Sequence, residues 1–227
     1  MKTRLRTVRM PVTDYARAWQ WQQDTAEAVR RGGPDVLALL QHSPVYTFGR
    51  RVRPEHLLVT REELVAAGAD VVETNRGGDV TFHGPGQVVG YPILNLRRLE
   101  LGPVDYVCRL EEALILTLAR FGITGYRVGG RPGVWTEAGK IAAIGVRVEG
   151  GVTLHGFALN VDPDLSFFDA IVPCGLQGTS VTSMSRLLPE TPGIPDVEQV
   201  IAEEFARVLD YVPEPAEPAH QEIGALR

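Results

Sequence analysis

A glycine-rich run from Arg76 to Gln87 constrains the fold of this chain more strongly than any other segment. Four of its positions, 77, 78, 84 and 86, are glycine, and polar groups such as Asp79 and His83 stand between them. Glycine allows positive φ and lets a backbone approach a ligand closely. A plain hairpin turn needs only about two to five residues. The run therefore favours the floor of a pocket, with a turn between two strands as the alternative.

Two common glycine-rich nucleotide motifs do not fit this run. No Gly-Lys-Ser/Thr sequence follows the glycines, and the stretch from Gly84 to Gly90 is one residue too long for the dinucleotide fingerprint. The residues Gln87 to Leu94 are rich in Val, Tyr, Ile and Leu, which predicts a strand. A phosphate-binding loop would instead lead into the N-terminus of a helix. The pattern argues against a nucleotide site of either kind.

The length and charge of the chain limit the classes of protein to which it can belong. With 227 residues, 44% of them hydrophobic, the chain can bury one proper core. We expect one domain over residues 1–212 and a loose tail at 213–227, which is rich in Pro and Glu. A formal net charge of −5 argues against nucleic acid or an anionic membrane as the main partner. The chain shows neither a leader-like apolar run nor a spanning segment, so we expect a cytoplasmic protein.

The alternation of elements indicates an α/β chain of the mixed α+β kind. Hairpin signals, above all Gly150-Gly151, predict paired strands, and helices stand between them. We therefore expect a mostly antiparallel or mixed sheet flanked by helices rather than a doubly wound sheet. The predicted strands are 3–11, 36–40, 45–48, 71–73, 87–94, 140–149 and 152–161. The predicted helices are 14–31, a short one capped by Thr60 and ending at Gly68, 105–121, and one from Asp196 to about Leu209.

Lysine usage singles out one residue. Of 23 basic residues only Lys2 and Lys140 are lysines, and the others are arginines. Lysine can lose its proton near neutral pH when it is partly buried, whereas arginine effectively cannot. Lys140 is therefore a candidate for a site that requires an amine. A surface lysine without function is the alternative.

Cys174 is the candidate nucleophile. It stands between Pro173 and Gly175, a context that presents a side chain at a sharp turn. A thiolate needs a nearby cation or general base, and Lys140 or His83 can supply one. A buried, inert cysteine is the alternative reading. His155 alternates with apolar neighbours and fits a sheet histidine better than a catalytic one, and no short-spaced ligand pair favours a metal.

Four ordered motifs resemble the lipoyl(octanoyl) transferase family. They are the run 76–96, the segment 130–135 followed by 140–146, the strand 154–161, and Ile171-Val172-Pro173-Cys174-Gly175; the stretch 42–50 also agrees. The resemblance covers roughly residues 15 to 185. It implies a fold like the catalytic domain of biotin and lipoate protein ligases.

The resemblance also implies a reaction and its residues. Octanoyl would pass from acyl carrier protein to a lysine of a lipoyl domain, in 2-oxoacid dehydrogenases or the glycine cleavage H protein, without ATP or metal. The nucleophile maps onto Cys174 and its activating base onto Lys140. The substrate-binding residues map onto Arg76, Gly77, Gly78, Asp79, Val80, Thr81, Phe82, His83, Ala143, Ile144, Gly145, Gly156, Phe157 and Ala158.

Other functions remain open on the sequence. An ATP-dependent lipoate or biotin ligase would share the fold without needing Cys174, and a non-catalytic protein that binds a carrier or lipoyl domain would keep the pocket without turnover. The arginines 50, 51 and 53 are a candidate docking site for an acidic carrier, or simply a solvated charged run.

Overall fold

A computed structural model describes residues 4–172, 180–213 and 217–218 of the chain. The described strands are β1 (Arg4–Arg9), β2 (Asp35–Leu40), β3 (Val45–Phe48), β4 (Asp70–Glu73), β5 (Val80–His83), β6 (Gln87–Ile93), β7 (Tyr126–Val128), β8 (Arg131–Thr136), β9 (Gly139–Glu149), β10 (Val152–Asn160), β11 (Val212–Pro213) and β12 (Glu217–Pro218). The described helices are α1 (Tyr15–Arg30), α2 (Arg61–Ala66), α3 (Pro103–Arg120), α4 (Met184–Leu187) and α5 (Ile194–Val208), with 3-10 helices at Pro54–His56 and Leu165–Ala170.

The larger sheet is mixed. Its order is β11-β1-β2-β6-β10-β9-β8-β7, and β12 also pairs with β1. Strand β1 runs parallel to β2, β11 and β12. All neighbouring strands in the remaining order, β2-β6-β10-β9-β8-β7, are antiparallel. A smaller sheet, β4-β3-β5, packs beside it. The prediction of a mixed sheet flanked by helices is confirmed.

Helices cover both faces of the larger sheet. Helices α3 and α5 pack together and bury one core, which includes Leu110, Leu114 and Ile201. Helix α1 covers β6 and β10 on the opposite face and contributes Ala18 to the second core. Asp14 caps α1 by accepting the N–H of Arg17. This hydrogen bond satisfies one of the backbone N–H groups in the first turn of α1.

Several predicted boundaries needed correction. The glycine-rich run contains strand β5, which pairs with β3, so it is not one continuous loop. The last helix begins at Ile194 rather than Asp196, with Gly193 as N-cap and Pro195 in the first turn. Proline fits there because the first N–H groups of a helix have no partner within it. Strands β7 and β8 were not predicted, because β7 has only three residues and β8 contains Pro132 and Gly133.

The C-terminal residues that are described lie against the sheet. Glu217 pairs with Val8, and Pro218 with Arg9. The tail predicted to be loose thus contains a short strand at these two positions. No helix in the described part of the chain has the length and apolar character needed to cross a membrane.

Candidate active site

An inner pocket lies between α1, the glycine-rich run and the central strands β6, β9 and β10. It encloses about 50 Å³. Its walls are formed by Tyr15, Arg76, Gly78, Asp79, Val80, Thr81, His83, Val89, Tyr91, Ala143, Ile144, Gly145, His155, Gly156, Phe157 and Ala158.

Arg76 holds the glycine-rich run in place. Its side chain is buried and donates to the hydroxyl of Thr47 at 3.0 Å and to the carbonyls of Thr47 and Asp79 at 2.6 and 2.5 Å. The N–H of Gly77 donates to the carbonyl of Val146 at 3.0 Å. A Cβ at Gly145 would lie 2.9 Å from the Gly77 carbonyl. Glycine at 145 therefore allows the run to dock directly on β9.

Two histidines at the inner pocket are held in the neutral form. The Nδ1–H of His42 donates to the carbonyl of Thr13 at 2.7 Å, which leaves Nε2 to accept from the Tyr91 hydroxyl at 2.6 Å. His83 Nδ1 lies 2.7 Å from Oε1 of Gln87. Burial lowers the pKa of His42 to about 4. Burial, with a smaller effect of His42, lowers the pKa of His83 to about 3.

His155 stands in a strained backbone conformation inside β10. Its φ of 57° lies in the left-handed region that side chains rarely adopt. Its N–H donates to Oε1 of Gln22 at 2.8 Å, and its Nε2 lies 2.6 Å from Oδ1 of Asn75. Burial first, then the charge of Arg76, lowers its pKa to about 3. As predicted, His155 is a histidine of the sheet with hydrogen-bond partners. It also lines the inner pocket.

An outer pocket of about 310 Å³ lies next to the inner one. The two share Gly78, Asp79 and Ile144 as wall residues. The other residues that line the outer pocket are mostly basic: Arg51, Arg53, His56, Gly130, Arg131, Pro132 and Lys140.

Lys140 is buried at the base of the outer pocket. Its Nζ lies 5.2 Å from the centre of the Trp135 ring, within the range of a cation–π contact. A Cβ at Gly133 would lie 2.7 Å from its Cε, so glycine at 133 makes room for the lysine stem. The backbone N–H of Lys140 donates to the carbonyl of Ser180 at 2.8 Å, and its carbonyl accepts from Thr182 at 3.0 Å.

Cys174 lies outside the described residues. On the N-terminal side of that segment, the N–H of Val172 donates to the carbonyl of His56 at 2.8 Å. On the C-terminal side, Ser180 is bonded to Lys140. The described chain on both sides of Cys174 is therefore bonded to wall residues of the outer pocket.

Most of the residues mapped from the resemblance come together at the inner pocket, but two do not. Gly77 uses its N–H to bind β9. Phe82 faces the opposite side of β5 and stacks on Phe167, with ring centres 4.4 Å apart, because successive strand residues point to opposite faces.

Tyr15, His56 and Tyr91 line the pockets, and His42 bonds to Tyr91 beside them, but none of the four was assigned a role from the sequence. His42 belongs to the stretch 42–50 and Tyr91 to the run 76–96, which agreed with the family and were the available signal. Tyr15 and His56 come from separate elements and carry no local motif. Among the described residues, no group of three His, Cys, Asp or Glu side chains is arranged to hold a metal ion.

Comparison with known proteins agrees with this geometry. Residues 14–206 match the family described as Lipoyl protein ligase A/B catalytic domain. An octanoyltransferase of Mycobacterium ulcerans is 51% identical over 209 residues, covering 87% of this chain and 85% of the relative. The chain therefore belongs to the lipoyl protein ligase A/B family, within its octanoyltransferase branch. It is an acyltransferase enzyme.

Solved structures support the fold. A putative lipoate protein ligase from T. acidophilum with bound lipoic acid superposes with a TM-score of 0.78 at 15% identity, covering 100% of this chain and 93% of that one. A biotin protein ligase from Aquifex aeolicus in complex with biotin and ATP gives a TM-score of 0.53 at 11% identity, covering 91% of this chain and 70% of that one. The predicted likeness to biotin and lipoate ligases is confirmed at the level of the fold.

Proposed function

We propose that this enzyme transfers an octanoyl group from acyl carrier protein to a lysine of lipoyl domains, through a thioester on Cys174. The acceptors are the lipoyl domains of 2-oxoacid dehydrogenases and the glycine cleavage H protein, and neither ATP nor a metal takes part. The observation that carries the proposal is that the inner pocket adjoins the outer pocket that contains Lys140, with Gly78, Asp79 and Ile144 in the walls of both. The octanoyltransferase relatives support the same reaction.

The inner pocket suits the acyl chain. Its walls include the apolar side chains of Val89, Ile144, Phe157 and Ala158, and its histidines, His83 and His155, are neutral near pH 7. Burying roughly six methylenes between this pocket and the adjoining outer pocket, at about 0.8 kcal/mol each, supplies on the order of 5 kcal/mol. That energy is sufficient to select a chain by its length.

Lys140 acts as the general base for the Cys174 thiol in the first half of the reaction. Lys140 takes the proton of the Cys174 thiol, and the thiolate attacks the carbonyl of the octanoyl thioester. A C–S bond to Cys174 forms and the C–S bond to the carrier breaks. Lys140 then returns the proton to the departing carrier thiolate. One thioester replaces another, so the exchange is near balance without ATP.

The second half transfers the acyl group to nitrogen. The acceptor amine attacks the Cys174 thioester, a C–N bond forms, and the bond to the Cys174 sulfur breaks. Lys140 carries a proton from the nitrogen to the Cys174 thiolate. The amide is more stable than the thioester, which drives the step forward.

Mass spectrometry of the intact protein tests this function. After mixing with octanoyl-acyl carrier protein without ATP or acceptor, we expect one octanoyl group, located on Cys174 by peptide analysis. Cys174→Ala should lose the adduct and the transfer while remaining folded by circular dichroism. Cys108→Ala is the matched control, because Cys108 is an exposed free cysteine on α3.

Each outcome decides between functions. Transfer at the normal rate by Cys174→Ala would exclude the covalent mechanism. Activity that appears only with ATP and free octanoate would identify a ligase. Binding of carrier without an adduct or turnover would identify a non-catalytic binding protein.

A further inference from the structure

A histidine–aspartate pair spans the outer pocket. His56, at the end of the 3-10 helix Pro54–His56, contacts through Nδ1 the Oδ2 of Asp79 in the loop before β5. The side chains are 13% and 9% exposed, respectively. The other carboxylate oxygen of Asp79 accepts the N–H of Val80 at 2.7 Å, which fixes its orientation. Since Asp79 engages Nδ1, Nε2 is the nitrogen that can exchange a proton with a bound molecule.

The same histidine lies beside the chain that leads to Cys174. Residues 56–58 pair with residues 170–172: Val172 donates to the His56 carbonyl at 2.8 Å, Leu58 donates to the Ala170 carbonyl at 2.9 Å, and Leu57 bridges Ile171. Cys174 follows Val172 by two positions in the sequence. His56 and Lys140 line one pocket, so two groups able to carry protons face the same space.

The proton balance of the proposed reaction calls for a second group. Formation of the acyl-enzyme passes the thiol proton to the leaving carrier thiolate and releases none. An acceptor lysine, in contrast, arrives as an ammonium, since its ordinary pKa is about 10.4. Its nitrogen must lose two protons to become an amide. One proton restores the Cys174 thiol, and the other must leave the site.

We propose that His56, oriented by Asp79, accepts the extra proton in the second half of the reaction. This inference rests on the proposed function. Nε2 of the neutral imidazole takes a proton from the acceptor ammonium, and the resulting amine attacks the Cys174 thioester. The C–N bond forms as the C–S bond breaks, Lys140 passes the second proton to the thiolate, and the imidazolium releases its proton to solvent. Asp79 is a positioning residue that fixes the ring and stabilises the imidazolium.

The charges around the pocket favour this step. Arg51, Arg53, Arg131 and Lys140 face His56 from the neighbouring loops and strands, Asp79 faces it from the loop before β5, and Glu55 precedes it in its own helix. The three arginine cations near an incoming ammonium favour its deprotonation. The carboxylate of Asp79 favours the positive charge on the ring that receives the proton.

Separate measurement of the two half-reactions tests the proposal. The first is the rate of octanoyl-enzyme formation from octanoyl-acyl carrier protein. The second is the rate at which isolated octanoyl-enzyme transfers its acyl group to a lipoyl domain. We expect His56→Gln to slow the second by about 100-fold and to change the first by less than about twofold. Asp79→Asn should slow the same step by about 10-fold.

Controls separate a chemical role from a structural one. Glu55→Gln changes the neighbouring, exposed residue of the same 3-10 helix and should leave both rates unchanged. Free imidazole should restore the second half-reaction in His56→Ala but not in Lys140→Arg.

The outcomes are distinguishable from failure of the proposed function. If wild-type protein forms no octanoyl-enzyme, the proposed function fails. If it does and His56→Gln transfers normally, the role of His56 alone is wrong. Equal slowing of both half-reactions would show that His56 only positions the chain before Cys174. If His56→Gln does not fold, as judged by thermal melting, Asp79→Asn with the same two rates decides.

Discussion

The inner and outer pockets share three wall residues yet differ sharply in electrostatics. Around the inner pocket, burial lowers the pKa of His42, His83 and His155 so that these side chains stay neutral. The outer pocket contains three arginines, Lys140 and the His56–Asp79 pair. A small pocket with uncharged histidines suits recognition of an apolar chain, while a pocket lined by several cations suits proton transfer and contact with a carrier. On the proposed function, the two adjoining pockets therefore separate selection of the acyl chain from the chemistry.

The largest expected effect concerns the outer pocket. We expect Lys140→Arg to reduce kcat by about 10²–10⁴, because arginine keeps the charge but does not release a proton near neutral pH. Steady-state transfer from octanoyl-acyl carrier protein measures it. Lys140→Met, which removes the charge and keeps the stem beside Trp135 and Gly133, should lose as much. Full activity of Lys140→Arg would reduce the role of Lys140 to electrostatics.

The neutral histidines make stability dependent on acid. Because their folded pKa values lie below the unfolded value of about 6.5, the unfolded chain binds more protons as pH falls from about 6.5 toward 4 and 3. The contribution of each neutral histidine to the free energy of unfolding is fully present above about pH 6.5 and is lost as the pH falls toward the folded pKa. At about pH 5 each of these histidines lowers the free energy of unfolding by about 2 kcal/mol, which is roughly a 30-fold change in the folding equilibrium constant.

Urea unfolding at about pH 7.5 and pH 5 measures this effect. His83→Gln should reduce the difference in free energy of unfolding between the two pH values by about 2 kcal/mol. Leu154→Val, a truncation in the nearby core, should destabilise the protein equally at both. If the free energy of unfolding of His83→Gln changes between the two pH values as much as that of the wild type, His83 is not neutral in the folded protein.

A change of width in the inner pocket should change the preferred chain length. Ala143 lines the pocket from β9, so Ala143→Leu places three further carbons in a narrow space. We expect the ratio of kcat/KM for hexanoyl over octanoyl donors to rise by about 10-fold. Ala138→Leu in the exposed turn before β9 is the control. An unchanged ratio would place the acyl chain elsewhere.

The smallest expected effect concerns docking at the rim. Arg51→Glu with Arg53→Glu should raise KM for the acidic carrier about fivefold at low salt, and the effect should fade at high salt. Arg30→Glu with Arg31→Glu gives the same charge change at the opposite end of α1, about 22 Å or more from Tyr15 along a helix of 16 residues. If both sets of substitutions raise KM equally, the effect comes from net charge and not from docking at Arg51 and Arg53.

The sequence predicted local structure well where signals are local. The capping box at Thr60 is present with both of its hydrogen bonds, and β3 begins at Val45 and ends at Phe48 as predicted. Strand β5 escaped prediction because its four residues stand inside a glycine-rich run. Its partner β3 lies about 35 residues earlier, and pairing at such distance leaves no local pattern.

The assignments to the site divide in the same way. Lys140 was singled out by composition, and the structure places it in the outer pocket. Phe82 was included because it stands in the motif, yet strand alternation turns it toward Phe167. Tyr15 and Tyr91 line the inner pocket from α1 and β6, elements that the sequence predicted without indicating that they meet. The roles of Cys174 and Lys140 stay predictions for the experiments above.

By itself the sequence determined the family, the mixed architecture and the residues able to carry the chemistry, because these depend on residue type, spacing and periodicity. Only the tertiary structure decided that Arg76 ties its loop to β3 through Thr47, that the histidines are neutral, and that His56 meets Asp79 across 23 positions. Burial and contact between distant segments are properties of packing. No local pattern encodes them, since each depends on every element that closes around the site.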